Sequence, residues 1–238
     1  MSIRAIIHSG GLFQFGLEGV DNINQQLYAS KGFAVLVPDI LVPVLPKNAE
    51  EQGVFPSENP RMIEAIARQV NAAVDYGVER GYIDRERLGI IGTSNGGYDV
   101  MCTIVSTPRF KAAIARSTVV DQISRGWQFD NGSGGWGTLL EEQFGASVWQ
   151  NRETYIANSP YYFLDKASTP LLLTRGKEDD NVTTQPEQAY IGMKLLGKDV
   201  TLVEYAGEGH VDGNWSYAHR RDLLERVLRF FEEYLKSQ

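Results

Sequence analysis

Short apolar stretches rich in β-branched and aliphatic residues recur along the chain, and longer stretches with helical periodicity separate them. The apolar stretches predict strands at Arg4–His8, Ala34–Pro38, Arg87–Ile91, Ala112–Arg116, Pro170–Thr174 and Val200–Glu204. The longer stretches predict helices at Gly19–Ser30, Pro60–Gly81, Asn95–Ser106, Gln185–Leu196 and Tyr217–Lys236. This alternation is typical of βαβ units and predicts an α/β fold, with a mostly parallel sheet of about six strands flanked by helices.

Two stretches interrupt the alternation. Leu41–Asn59 contains several prolines and predicts a loop. Val119–Phe163 is long, contains many aromatic residues and glycines, and lies between two predicted strands. Because an insertion of this kind in an α/β domain usually shapes a pocket, we expect a cap or substrate-pocket segment there. The 238 residues show no repeat or linker, which favours a single domain over residues 1–238.

The second predicted strand has no obvious partner on one side. Since the first strand begins at Arg4, no earlier stretch can pair with Phe33–Val37, which should lie at or near a sheet edge. The composition of Phe33–Val37 instead suits a buried strand. Either another copy of the chain covers this edge, or the chain is a piece of a larger protein. The first alternative, which we favour, predicts a homo-oligomer through Phe33–Val37.

Charge and cysteine content exclude several classes of partner. The formal net charge is −7, which argues against nucleic acid and anionic membranes. The only cysteine, Cys102, cannot form an intrachain disulfide. The chain shows neither a signal-peptide pattern nor an apolar run of membrane-spanning length. We therefore expect a cytoplasmic protein with no membrane or nucleic-acid partner.

The segment Gly92-Thr93-Ser94-Asn95-Gly96 joins a predicted strand to a predicted helix. Gly-x-Ser-x-Gly in this context is the pattern of a nucleophile elbow, in which a serine sits on a strained turn at the top of a sheet. Glycine is expected at Gly92 and Gly96 because a side chain there would collide with neighbouring backbone. The alternative is a glycine-rich βα turn without a catalytic role.

A serine nucleophile needs a base, and the base needs an acid that orients it. His210 is the candidate base, because it follows a predicted strand at the end where active sites of open α/β sheets collect. A solvated loop histidine is the alternative. The carboxylates Glu178, Asp179 and Asp180 follow the preceding predicted strand, and spacing does not choose among them. The order serine, acid, histidine is that of α/β-hydrolases.

Further motifs accompany the elbow, and together they extend over nearly the whole chain: Gly92–Tyr98, Asn158–Pro160, Thr169–Leu173, Gly176–Val182 and Gly207–His210. In these motifs the chain resembles the catalytic domain of the prolyl oligopeptidase family of serine peptidases, which has an α/β-hydrolase fold. The family carries its catalytic aspartate at the third position after the glycine of the acid loop. The resemblance therefore implies that Asp179 is the acid of a triad with Ser94 and His210.

The chain also departs from the family pattern. Family members usually carry an N-terminal β-propeller and additional strands before the first strand found here, and we expect neither in this chain. Arg175 stands where a histidine is common. The segment His8-Ser9-Gly10-Gly11 stands where the family often has His-Gly-Gly-Pro, and the two segments can be aligned in two ways that differ by one residue.

The expected chemistry is attack of Ser94 on an acyl carbon, with the oxyanion held by backbone N–H groups. The residue after the nucleophile, Asn95, supplies one donor, and Gly11 or Leu12 near the end of the first strand supplies the second. No metal or organic cofactor is needed. The Gly-x-Gly-x-x-Gly match at Gly132–Gly137 follows no predicted strand and opens no predicted helix, which argues against nucleotide binding.

Aromatic residues of the insertion are candidates for substrate binding, above all Trp127 and Trp136, together with Tyr98 after the elbow. Packing of the insertion against the core is the alternative for each of them. The sequence thus predicts a serine hydrolase that cleaves peptide or amide bonds. A carboxylesterase for small acyl esters is the alternative within the same chemistry, and a catalytically silent, self-associating domain is the alternative of another class.

Overall fold

The computed structural model of the chain describes residues 4–9, 25–40, 61–128 and 135–235. Within these ranges the sheet is parallel throughout and has six strands in the order β2-β1-β3-β4-β5-β6. The strands are β1 (Ala5–Ser9), β2 (Ala34–Leu36), β3 (Leu88–Thr93), β4 (Ala112–Arg116), β5 (Leu171–Gly176) and β6 (Val200–Tyr205). The predicted fold class, a mostly parallel sheet flanked by helices, is confirmed.

Helices connect the strands and also fill the predicted insertion. They are α1 (Gln25–Ser30), α2 (Met62–Glu79), α3 (Asn95–Ser106), α4 (Gln122–Gly126), α5 (Trp136–Phe144), α6 (Arg152–Ala157), α7 (Gln185–Leu195) and α8 (Tyr217–Tyr234). Short 3-10 helices cover Pro160–Lys166 and Asp212–Asn214. No helix of the described ranges is long and apolar enough to cross a membrane.

The core has two layers because successive strand residues point to opposite faces of the sheet. Ile7 and Ile90 face a layer built by α2, α3 and α7. Ile6 and Ile91 face the other layer, where Phe231 of α8 packs. Every residue of β3, β4 and β5 is buried. These central strands are therefore rigidly held, and the loops at their carboxyl ends are the natural place for a precise site.

The predicted insertion 119–163 contains α4, α5, α6 and the start of a 3-10 helix. Residues 129–134 of the insertion lie outside the described residues. Tertiary hydrogen bonds hold this segment on the sheet. The Gln185 side chain accepts from the amides of Val120 and Asp121 at 2.8 and 2.9 Å, and the Ser159 hydroxyl accepts from the Gln122 amide at 2.8 Å. The predicted loop Leu41–Asn59 lies outside the described residues.

The strand β2 lies at one end of the described sheet, as the sequence predicted for Phe33–Val37. It pairs in parallel with β1, with Ala34 opposite Ala5 and Leu36 opposite Ile7. Phe33 nevertheless is buried, because its ring packs against Phe231 of α8 and under the guanidinium of Arg4. The apolar composition of this run therefore reflects packing on the sheet face.

Candidate active site

Ser94 occupies the single-residue turn between β3 and α3. Its φ of 56° and ψ of −116° fall outside the regions that residues with a side chain usually adopt. The amide of Ser94 donates to the carbonyl of Arg116 at 2.9 Å, and the amide of Tyr98 donates to the carbonyl of Ser94 at 3.0 Å. A strained serine fixed between strand and helix is the geometry of a nucleophile elbow.

The elbow needs a glycine on the inner side of α3. A Cβ on Gly97 would lie 2.8 Å from the Cβ of Thr118 and 3.0 Å from the carbonyl oxygen of Arg116. Because a side chain at these distances would push the two backbone segments apart, glycine at this position lets the first turn of α3 approach the end of β4. This contact places the serine at the carboxyl edge of the sheet.

His210 follows β6 and lies between the serine and the acid loop. Its Nε2 is 3.0 Å from the Oγ of Ser94, and its Nδ1 is 2.8 Å from the Oδ2 of Asp179. Both are hydrogen-bond distances. The structure thus brings the three predicted residues together in the order that proton transfer from the serine requires.

The side chain of Asp179 is fully buried. Its Oδ1 accepts from the amides of Asn181 and Val182 at 3.0 and 3.3 Å. Burial opposes ionisation, but hydrogen bonds from His210, Ser117 and the Val182 amide outweigh it, so the pKa of Asp179 is lowered. The carboxylate is therefore ionised at neutral pH and can hold the Nδ1–H tautomer of the imidazole, which leaves Nε2 free to accept the serine proton.

The acid loop and the histidine loop pack backbone to backbone. A Cβ on Gly176, at the end of β5, would overlap the carbonyl oxygens of Glu208 and Gly209. The amide of Glu178 donates to the carbonyl of Glu208 at 2.9 Å. Only glycine allows this approach, which sets the distance between the acid and the histidine.

Arg175, in β5, stabilises the acid loop through hydrogen bonds to its carbonyl groups. Its buried guanidinium donates to the carbonyls of Gly176 at 3.0 Å and Lys177 at 2.8 Å, and it pairs with Glu187 of α7 at 3.0 Å. Because it satisfies two loop carbonyls at once, Arg175 stabilises the turn that carries the acid.

Glu208 anchors the histidine loop to α8. Its Oε1 accepts from the amide of Ser216 at 2.9 Å and contacts Nδ1 of His219 at 2.5 Å. The indole N–H of Trp215 donates to the carbonyl of Gly209 at 2.9 Å. The second histidine of this region, His219, therefore has a structural partner of its own, and its position within α8 gave no sign of that partner in the sequence.

A buried ion pair adds a further link. The guanidinium of Arg116, at the end of β4, pairs with the carboxylate of Asp212, two residues after His210. The side chains of Arg116 and Asp212 are only 2% and 7% exposed. Sequence reasoning missed this pair, because its members are far apart in the chain and neither belongs to a motif.

We expect Asp212→Ala to lower the free energy of unfolding by about 3–5 kcal/mol, since it removes the counterion of a buried guanidinium. The matched control is Glu225→Ala, which breaks an exposed pair with Arg221 and should cost about 1 kcal/mol or less. Urea denaturation measures both. Equal losses in the two variants would contradict a structural role of the buried pair.

The other predicted site residues have varied surroundings. Asn95 is exposed at the first position of α3. Tyr98 is buried, and its hydroxyl donates to the carbonyl of Asn158 at 2.7 Å, which suits the packing alternative. Trp127 is 55% exposed and packs edge-on against Trp149, with ring centroids 5.0 Å apart. The predicted oxyanion donors Gly11 and Leu12, like Gly10 and the Gly-x-Gly-x-x-Gly residues 132–134, lie outside the described residues.

Trp136 opens α5, and its ring lies under the guanidinium of Arg125, 4.2 Å from the centroid. No group of three or more His, Cys, Asp or Glu side chains in the described part of the chain could hold a metal ion. The groups that the structure brings to this edge of the sheet are the serine, the imidazole and the carboxylate, with Asn95 offering a backbone N–H.

Comparisons with known proteins agree with this geometry. The model of the prolyl oligopeptidase family matches residues 60–238 of the chain. An uncharacterized peptidase of Bacillus subtilis, YuxL, is 29% identical over 169 residues, which cover 70% of this chain and 25% of that protein. A probable chloroplastic glutamyl endopeptidase of Arabidopsis thaliana is 26% identical over 210 residues, 87% of this chain and 19% of that protein.

Solved structures support the fold. The acylaminoacyl peptidase of Pyrococcus horikoshii superposes with a TM-score of 0.78 at 23% identity, over 99% of this chain and 38% of the other. A puromycin-hydrolyzing peptidase of Mycobacterium tuberculosis gives a TM-score of 0.79 at 21% identity, over 100% of this chain and 35% of the other. The chain thus spans a quarter or less of these two curated relatives and over a third of these structures.

Proposed function

The chain belongs to the prolyl oligopeptidase family, and we propose that it is a serine peptidase that cleaves peptide bonds through an acyl-enzyme. The observation that carries the proposal is the pair of hydrogen bonds that His210 makes, at 3.0 Å to Ser94 and 2.8 Å to Asp179. In this arrangement the serine is the nucleophile, the histidine the general base and the aspartate the group that orients the imidazole.

In the first half-reaction, the Oγ of Ser94 attacks the peptide carbonyl carbon while Nε2 of His210 takes the hydroxyl proton. The C–N bond of the tetrahedral intermediate then breaks, and the imidazolium gives its proton to the leaving amine. In the second half-reaction, water loses a proton to Nε2 and attacks the acyl carbon. The Ser94 Oγ leaves, recovers the proton, and the acid product is released.

The developing oxyanion requires donors placed before the reaction begins. We propose the backbone N–H of Asn95 as one of them, because it opens α3 and so also lies at the positive end of the helix dipole. A second donor from Gly11 or Leu12 completes the proposed hole. Loss of one such donor typically costs about 3 kcal/mol of transition-state stabilisation.

We also propose that the insertion between β4 and β5 forms the substrate pocket, within one catalytic domain. A small cleft opens beside α4 and is lined by residues that include Ile123, Trp127, Trp149 and Tyr155. Its aromatic walls suit an apolar part of a substrate. Trp127, which the sequence analysis selected, lies in this wall.

The function is tested with a matched pair of substrates, an N-acylated amino-acid anilide and the corresponding ester, with Ser94→Ala as background. Comparable efficiency on the two substrates supports the peptidase, because cleavage of the amide needs His210 to protonate the leaving amine. Cleavage of the ester alone would move the chain to the carboxylesterases. Absence of turnover on both would favour a catalytically silent domain.

We further propose that copies of the chain associate through the edge strand β2, in the run Phe33–Val37. In the described sheet, β2 has a hydrogen-bonded neighbour, β1, on one side. Edge strands offer unpaired N–H and C=O groups to a second chain. Sedimentation velocity over about a hundredfold range of concentration should show a growing oligomer. A monomer at every concentration would contradict this proposal.

A cytoplasmic location completes the proposal. Cys102 is buried in α3, and burial raises the pKa of its thiol, which keeps it protonated and unreactive. A chain with this single cysteine does not depend on an oxidising compartment. Cell fractionation with an antibody to the chain tests this location, and recovery outside the cytoplasmic fraction would contradict it.

A further inference from the structure

One face of α4 and the turn after it carry buried polar atoms that have no hydrogen-bond partner among the described residues. Gln122 and Arg125 are three residues apart in α4, which places them on the same side of this helix, and Gln128 lies in the turn that follows it. Three side-chain atoms here are fully buried and make no hydrogen bond within the described ranges: the Oε1 of Gln122, the Nε of Arg125 and the Oε1 of Gln128. The same holds for the indole nitrogen of Trp136. Buried polar atoms in native proteins are nearly always satisfied, so this cluster indicates a missing ligand.

This face lies beside the proposed catalytic residues. The Gln122 side chain lies beside the hydroxyl of Tyr98, a residue one helical turn after the serine. At the other end, the Gln128 amide donates to the carbonyl of Val182 at 3.4 Å, and the Val182 amide donates to Asp179. Arg125 therefore stands between the helix that carries the nucleophile and the loop that carries the acid.

In the described part of the chain, no carboxylate forms an ion pair with the guanidinium of Arg125. The residue is only 9% exposed, and among the described residues its side chain makes neither a hydrogen bond nor an ion pair. Its neighbours include the ring of Trp136, whose centroid is 4.2 Å from the guanidinium carbon, and Tyr98. Burial lowers the pKa of Arg125 to about 10, which leaves it charged at neutral pH. An uncompensated buried charge is costly, and a bound anion would relieve that cost.

We propose that Arg125 is the receptor for a carboxylate of the peptide substrate, a specificity that rests on the peptidase function proposed above. The planar fork of a guanidinium matches a carboxylate in a bidentate manner, and the unpaired indole N–H of Trp136 is a second donor at the same place. The carboxylate is the acidic side chain of the residue whose carbonyl is attacked, or the free carboxyl terminus of a short peptide.

The test compares N-acetylated peptide anilides that differ only in glutamate against glutamine at the cleaved residue. We expect kcat/KM to be roughly tenfold to a hundredfold higher for glutamate, because glutamine leaves the buried charge unpaired. A second pair, one glutamine peptide with a free or an amidated carboxyl terminus, isolates the terminal carboxylate. A preference for the charged form in either pair supports the proposal and identifies the source. Equal rates in both pairs would overturn it.

Variants then assign the preference to the residue. Arg125→Met should bring the ratio for the charged over the neutral substrate to about one, whereas Arg125→Lys should keep part of it. The control Arg221→Gln, an exposed arginine of α8, should keep all of it. A ratio that survives in Arg125→Met would overturn the proposal. Labelling of wild-type Ser94 by a fluorophosphonate distinguishes failure of the carboxylate receptor from failure of the peptidase function. If the serine is labelled but the enzyme shows no preference for charged substrates, only the carboxylate receptor is rejected. If neither labelling nor turnover occurs, the peptidase function itself is rejected.

Discussion

Ser94→Ala is expected to reduce kcat on a peptide substrate by on the order of 10⁶, to the rate that binding and oxyanion donors alone sustain. The change removes the only atom that can form the acyl-enzyme, while the imidazole and carboxylate stay in place. KM should change little, because the Oγ contributes to the transition state far more than to the bound substrate. Steady-state kinetics on the anilide measures this loss.

The matched controls separate chemistry from folding. Ser106→Ala removes a hydroxyl at the other end of α3, which donates to the carbonyl of Cys102, and should leave kcat unchanged. Ser94→Gly should be as inactive as the alanine variant and more stable than it by about 1 kcal/mol, because glycine relaxes the positive φ of 56°. Activity in Ser94→Ala within a hundredfold of wild type would rule out this residue as the nucleophile.

Asp179→Asn should lower kcat by about 10⁴ with a modest effect on KM. The amide can donate to Nδ1 of His210, which then places the imidazole proton on Nε2 and blocks acceptance of the serine proton. The depressed pKa of Asp179 has the same origin, since hydrogen bonds to the ionised form outweigh its burial. Stopped and continuous assays at neutral pH measure the loss.

Asp180→Asn is the neighbouring control, because Asp180 is exposed and lies one residue further along the acid loop. We expect its kcat to stay within about threefold of wild type. A larger loss of kcat in Asp180→Asn than in Asp179→Asn would show that Asp179 is not the acid of the triad.

Much of the sheet could be predicted from the sequence. The bounds predicted for Ala112–Arg116 and Asn95–Ser106 agree with β4 and α3 to the residue. Other strands differ by a few positions: β3 continues to Thr93 and β5 to Gly176. These extra residues are the ones that lead into the catalytic loops, where glycines and polar residues end the apolar pattern while the ladder continues through pairing with neighbouring strands.

The helices of the insertion could not be predicted, for physical reasons. The helix α4 has five residues and α6 has six, too few to show an amphipathic period or to be stable alone. Their stability comes from distant groups, such as Gln185, which accepts from the amides that precede α4. The same limit applies to the Arg116–Asp212 pair, which only the fold brings together.

The candidate site shows the same division. Motifs and strand order selected Ser94 and His210, but spacing left Glu178, Asp179 and Asp180 equivalent, and the family resemblance was needed to choose. In the structure, the direction of the side chains identifies the acid. Asp179 points inward to the imidazole, while Glu178 and Asp180 are exposed. Spacing along the loop does not show which of the three carboxylates faces the imidazole, because that direction is set by how the acid loop packs against the histidine loop.

The most direct test of the central claim is to identify the acylated residue. The wild-type chain is treated with a fluorophosphonate, digested and analysed by mass spectrometry, with Ser94→Ala as control. The account predicts a single phosphonylated residue, Ser94, with label and anilide turnover lost in parallel. Label on a different residue, or full turnover of the anilide by a chain whose Ser94 is phosphonylated, would contradict it.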